Sequence, residues 1–390
     1  MFSLVCSWAD KEDVFPDKIG LYGLSGRKDD NDMKRRDFLI GGTAGAAFLG
    51  AVGCSAFEPE TVKVTPRKPV PDPDILTVTK PRPAGGTLPM KEIGKTGIKV
   101  TTFAFGSHMP EVLVPHEKER GVIIREAVDY GVNLFDVYDY EQKCFQYEPM
   151  GRHLKDVIND VVISITLTPY DGRDFEQEFH RDLKAFGRDY IDMVRIHTYN
   201  PGGRGWENWE KLFKFKEQGT IRAVGIPIHW EKDLDNILGT IPIDYVILPY
   251  NFYHNLLYTG ELLGDYDPLG KRLKDMGIGV IVMKAFASEW FISHLIDAAK
   301  TFDKSGEISL PQAMLRYVIN SGLDPDTTIA GMWCMNDLYD NLPAYFNPRM
   351  SPEESSLLDM MRKYAEITAQ SALPEHYRFL DTWAPSYREA

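Results

Sequence analysis

Eight short apolar runs, most about 30 residues apart, constrain this chain more than anything else in it. After a short hairpin in KEIGKTGIKV they are a strand at 100–105, VNLFDV (132–137), VVISIT (161–166), DMVRIHT (192–198), AVGIPIH (223–229), YVILPYN (245–251), VIVMKAF (280–286) and TTIAGM (327–332). Runs such as VVISIT are β-branched and do not alternate with polar residues, which fits strands buried on both faces of a parallel sheet. Amphipathic stretches fill the gaps. KERGVIIREAVDYG (118–131) puts Val122, Ile123, Ile124, Ala127 and Val128 on one face and stops at Gly131, a helix C-cap. Eight β-α alternations predict a closed (β/α)8 TIM barrel. No GxGxxG follows a strand, which disfavours a doubly wound dinucleotide fold.

The barrel does not begin at residue 1. MKRRDFLIGGTAGAAFLGAVGC (33–54) has a basic start and a Gly/Ala-rich apolar stretch too short to span a membrane, the layout of an export signal. Its RRDFL core resembles a twin-arginine signal, and AVGC (51–54) resembles a lipobox in which Cys54 would be lipidated. Such a signal stands near a true N-terminus. Met33 is therefore expected as the natural start, and 1–32 as an upstream or disordered extension. Residues 55–87 are rich in proline and predict an extended tether. The barrel is expected over 88–345, with a C-terminal helix and tail over 346–390. The expected location is the periplasm, or a membrane surface outside the cytoplasm reached only through a lipid on Cys54.

A net charge of −13 with no basic patch argues against a nucleic-acid partner. Four cysteines without CxxC spacing make neither a zinc site nor a disulfide framework.

Catalysis in parallel barrels sits at the C-terminal strand ends. The third run ends in Thr166, Leu167, Thr168 and Pro169, with no charge at all. Five segments explain why that matters. GVNLFDVYDYEQ (131–142), DYIDMVRIHTYNP (189–201), GTIRAVGI (219–226), MGIGVIVMKAF (276–286) and TTIAGMWCMNDLYDNL (327–342) resemble, in order and spacing, the signature segments of the aldo/keto reductases. The resemblance implies a barrel that binds NADP, or less often NAD, and passes hydride to a small aldehyde or ketone. It also implies an Asp–Tyr–Lys–His tetrad. Asp136 takes the aspartate position and His197 the histidine position. Tyr140 is the candidate proton donor, with Tyr138 as rival. It implies cofactor contacts at Lys284, His229, Asn251, Gly331 and Asn341. The segment 332–336 lacks the Arg or Lys that would hold the extra phosphate of NADP, which points toward NAD, an unusual cofactor pose or no cofactor.

The lysine of that tetrad should stand at 166, where this chain has Thr166. A phenol has a pKa of about 10 and a neighbouring cation lowers it. Without the lysine Tyr140 is a weaker acid, and Asp136 must protonate, bind water or find another partner. Lys284, ending the seventh strand, is the candidate rescuer. Thr166→Lys is expected to raise activity if the rest of the tetrad is intact.

Two other readings follow from the residues. The chain could be a non-catalytic binding or scaffold barrel. Or a metal could sit on a rim that carries His108, His197, His229 and His254 with Asp136 and Glu141.

Overall fold

A computed structural model describes residues 75–372, apart from 109–110, 138–145, 168–173, 197–203, 229–233, 236, 254–266, 288 and 304. An antiparallel hairpin comes first, β1 (Met90–Glu92) and β2 (Lys99–Thr101). Eight parallel strands then close into a barrel: β3 (Phe103–Gly106), β4 (Leu134–Val137), β5 (Val162–Leu167), β6 (Ile191–Ile196), β7 (Ile221–Pro227), β8 (Tyr245–Pro249), β9 (Gly279–Met283) and β10 (Thr327–Gly331). β10 pairs with β3 and seals the ring. Each expected run coincides with one of these strands. The first run is the exception in detail, because its residues 100–101 belong to the hairpin and the barrel strand starts at Phe103.

Described helices connecting or following the strands are α1 (Glu117–Asp129), α2 (Tyr147–Leu154), α3 (Phe175–Phe186), α4 (Arg204–Glu217), α5 (Asp267–Met276), α6 (Glu289–Phe302), α7 (Leu310–Ile319), α8 (Met335–Phe346) and α9 (Pro352–Ala372). The alternation of each strand divides the core in two. Leu134, Val162, Met193, Ala223 and Ile281 fill the barrel, while Phe135, Ile163, Val194 and Val224 pack outward beneath the helices. The hairpin plugs the bottom. Ile93, Ile98 and Val100 are fully buried against the barrel filling, each contributing roughly 1.5–3 kcal/mol. Gly94 makes this approach possible: its φ is 50°, and a Cβ there would lie 2.5 Å from the Gly277 carbonyl oxygen.

The matched sequence segments are structural ties. Asp192, buried at the start of β6, accepts from Arg188 Nη1 at 2.8 Å, Arg222 Nη1 at 2.6 Å and the Ile163 amide at 2.9 Å. One carboxylate thus clamps three neighbouring strands and the α3–β6 turn.

One boundary needs correction. The proline-rich stretch expected as a tether through 87 is docked from Ile75 onward. Ile75 is 1% exposed, and its carbonyl accepts from the Met335 amide at 2.8 Å. Asn336 Oδ1 accepts the Thr79 and Lys80 amides at 2.8 and 3.0 Å, and its Nδ2 donates to the Thr77 carbonyl at 3.0 Å. Further along, Tyr130 donates to the Pro83 carbonyl at 2.9 Å. Proline fixes extended backbone, but the bonds to Asn336 and Met335 and the burial of Ile75 in the core decide that this backbone lies on the barrel. Residues 1–74, with the signal segment and Cys54, lie outside the described residues, as does the tail after 372. Among the described residues no helix is long and apolar enough to cross a membrane.

Candidate active site

Inward positions alternate along β4, β5 and β6, and the upper ones are polar. Asp136 on β4 lies in register with Ser164 on β5, and Thr166 two residues further lies in register with Arg195 on β6. These four converge in the upper barrel. Arg195 Nη1 donates to Asp136 Oδ1 at 2.6 Å, and its Nη2 donates to Oδ2 at 3.1 Å. Ser164 closes the triangle: its hydroxyl donates to Asp136 Oδ1 at 2.9 Å and accepts from Arg195 Nη1 at 2.8 Å. Asp136 and Arg195 are 7% and 4% exposed. Burial is the largest influence on the Arg195 charge and works against it, but the Asp136 carboxylate, Tyr245 and Tyr147 together hold the guanidinium above its ordinary range.

The far wall is Tyr245 on β8. It reaches the cluster because Gly225, in register between Arg195 and Tyr245, has no side chain. A Cβ on Gly225 would lie 2.3 Å from the tyrosine ring. Burial raises the pKa of Tyr245, an effect Arg195 partly offsets. Tyr245 is therefore a neutral wall at physiological pH. Thr166 is 2% exposed, and its hydroxyl makes no hydrogen bond among the described residues. Its carbonyl accepts from Tyr147 at 2.5 Å.

This arrangement corrects one expectation. Asp136 has not lost its cation, and its partner is Arg195 on the adjoining part of the sheet rather than Lys284. Lys284 is half-buried just past β9 in a left-handed conformation, φ 55°, with its carbonyl accepting from Asn251 Nδ2 at 3.1 Å. Asn251 also accepts the Tyr253 amide at 3.0 Å. Its amide therefore braces two loops on this rim. Arg195 is visible in the sequence as a charged residue that follows two apolar ones and precedes a third in DMVRI (192–196).

Gly331 ends β10 with open space where a side chain would be. Asn341 on α8 is 2% exposed, and its Nδ2 makes no hydrogen bond among the described residues. Tyr138, Tyr140, Glu141, His197, His229 and His254 lie outside the described residues. Among the described residues no group of three or more His, Cys, Asp or Glu could hold a metal.

The N-terminus of α8 bears on phosphate binding. Barrels often hold phosphate at a helix N-terminus near strands seven and eight. Here the donors are already committed. Asp337 Oδ2 accepts the Trp333 and Cys334 amides at 2.7 and 3.1 Å, and the Met335 amide goes to Ile75. A phosphate at this helix end would meet a carboxylate and no free amide among these three. These three amides therefore do not fit an additional phosphate at the α8 N-terminus.

Comparisons with known proteins agree with the fold. A model of the aldo/keto reductase family matches residues 102–363. The chain is similar to L-galactose dehydrogenase of Arabidopsis thaliana, 27% identical over 285 residues, which is 66% of this chain and 88% of that one. It is similar to aldo-keto reductase YhdN of Bacillus subtilis, 27% identical over 152 residues, covering 35% and 45% of the two chains. Among solved structures, an aldo/keto reductase from Klebsiella pneumoniae in complex with NADP and acetate has a TM-score of 0.57 at 17% identity, covering 72% of this chain and 96% of that one. The holo form of an aldo-keto reductase from Bacillus halodurans has a TM-score of 0.55 at 17% identity, covering 75% and 99%. At these identities the structural likeness speaks for the fold alone.

Proposed function

This chain belongs to the aldo/keto reductase family, and on that premise we propose that it passes hydride between a nicotinamide dinucleotide and a small carbonyl substrate at the C-terminal mouth of its barrel. The observation that carries the reading is the buried Asp136–Arg195 pair. An ion pair is expensive to bury, and one placed at the strand ends of a parallel barrel, where catalysis sits, supports a working site.

When bound, the dinucleotide supplies or accepts the hydride. This chain's own residues handle the proton and the geometry. Tyr140 donates a proton to the oxygen of the carbonyl as it becomes an alkoxide, and His197 orients that oxygen. Asp136 and Ser164 hold the buried Arg195 guanidinium in the upper barrel. Gly331 and Asn341 would hold the dinucleotide. Because the donors at the α8 N-terminus are committed to Asp337 and Ile75, NAD is favoured over NADP.

Titrating the purified full chain with NADH and with NADPH, following protein fluorescence and then aldehyde-dependent oxidation of the reduced cofactor, tests the reading. The expected result is saturable binding of NADH, weaker binding of NADPH, and turnover. Binding of neither, with no turnover, would leave the non-catalytic barrel. That second reading is favoured by Thr166, whose short neutral side chain stands where the resemblance calls for lysine.

Export through the twin-arginine route and lipidation at Cys54 belong to the same proposal. They rest on RRDFL and AVGC. Replacing Arg35 and Arg36 with Lys should keep the protein in the cytoplasmic fraction. Unchanged fractionation would remove the export reading.

A further inference from the structure

We propose that positions 166 and 195 are alternative seats for one buried positive charge, and that Arg195 is the positioning cation of this active site. The inference rests on the reductase reading above and deepens it.

Three observations converge. Thr166 and Arg195 are paired in register on adjacent strands, so a charge at either faces the same small space. The carboxylate there is Asp136, and both of its oxygens accept from Arg195. Thr166 contributes no charge, and its hydroxyl is buried without a hydrogen bond among the described residues. A side chain chosen for its own polar contacts would not be left so. A small side chain that leaves the space to a neighbouring guanidinium would be.

Two cations cannot share this site cheaply. A lysine ammonium at 166 would be buried beside Arg195 and would have to share the Asp136 carboxylate with it. Like charges in a desolvated space destabilise one another strongly. This reverses the expectation from the motif alone: Thr166→Lys by itself should harm the protein, because the charge it restores has not been lost. The guanidinium also differs from an ammonium in one functional respect, since it does not deprotonate in the working range of an enzyme. The positive potential acting on the proton donor then stays constant at alkaline pH.

The test is a double-mutant cycle on the full chain with Thr166→Lys and Arg195→Met, and Arg195→Lys as the conservative control. Thermal unfolding and carbonyl reduction are both read. Arg195→Met should lower kcat at least tenfold with little change in KM for the dinucleotide. Arg195→Lys should recover part of that loss, and should add an alkaline fall in kcat that the wild type lacks. Thr166→Lys alone should lower both the unfolding midpoint and kcat. The double variant should exceed Thr166→Lys in both. An unchanged kcat in Arg195→Met, or effects that simply combine, would overturn the proposal. If the wild type neither binds a dinucleotide nor turns over, the reductase reading fails, and with it the positioning role. The unfolding cycle still decides whether the two positions are mutually exclusive.

Discussion

Arg195 and Asp136 meet end-on, two guanidinium nitrogens to two carboxylate oxygens at 2.6 and 3.1 Å, with both side chains almost wholly buried. The forked geometry satisfies both oxygens at once, which is what a buried ion pair needs to offset its desolvation. The pair also makes the polar upper barrel intolerant of half-measures.

Asp136→Asn removes the counter-charge and leaves a desolvated guanidinium. The expected loss is about 3–5 kcal/mol of stability, since breaking a buried pair costs more than replacing it. Asp136→Leu combined with Arg195→Met should cost less than either change alone. Urea unfolding of the variants, with the slope checked for constancy, measures this.

Gly225→Ala should destabilise by about 1–3 kcal/mol, the usual range for overpacking. The added methyl meets Tyr245 ring carbons at 2.3 Å with no space to retreat. Tyr245→Phe should not relieve it, because the clash is with the ring, while Tyr245→Leu should relieve part. Equal stability of Gly225→Ala and wild type in denaturant would contradict this packing.

Asn336→Ala removes three hydrogen bonds that hold Thr77, Thr79 and Lys80. Net losses run about 0.5–1.5 kcal/mol per bond, less here because these bonds are partly exposed. The segment from 75 to 83 should then open locally, and limited proteolysis should cut it faster than in the wild type while the barrel survives. Cleavage at the wild-type rate would place the docking elsewhere.

Cys334 caps α8, and its thiol is pushed up to about 12, first by burial and then by the Asp337 carboxylate. Ordinary thiols have a pKa near 8.5, so about a quarter are ionised at pH 8, against about one in ten thousand here. Peptide mapping after iodoacetamide at pH 8 should find Cys334 essentially unlabelled in the native protein and labelled once unfolded. Asp337→Asn removes a negative neighbour, lowers the thiol pKa and should speed labelling. Rapid native labelling of the wild type would refute the capped thiol with its raised pKa.

The strands were legible because a run buried on both faces must be apolar and β-branched throughout, whatever it packs against. Asp136 was legible for a different reason: it stands at the aspartate of the segment GVNLFDVYDYEQ that resembles the family. Arg195 was written as plainly, inside DMVRI, yet its meaning was not local. Only the register of β5 on β6 brings it opposite Thr166 and within reach of Asp136. At Asn251 the family resemblance implies a cofactor contact, and the structure adds that its amide ties Lys284 and Tyr253.

The segment from 75 to 87 marks the same divide. Proline composition predicts extended backbone and says nothing of what that backbone touches, and the deciding partner, Asn336, lies more than 250 residues away. Periodicity and β-branching, which act over a few residues, determined eight strands, their order and a barrel. Where one buried charge resides, which amides remain for a phosphate and where the tether ends depend on contacts between residues far apart in the chain. Those contacts form only once the barrel closes and brings β4, β5, β6 and β8 around one desolvated space.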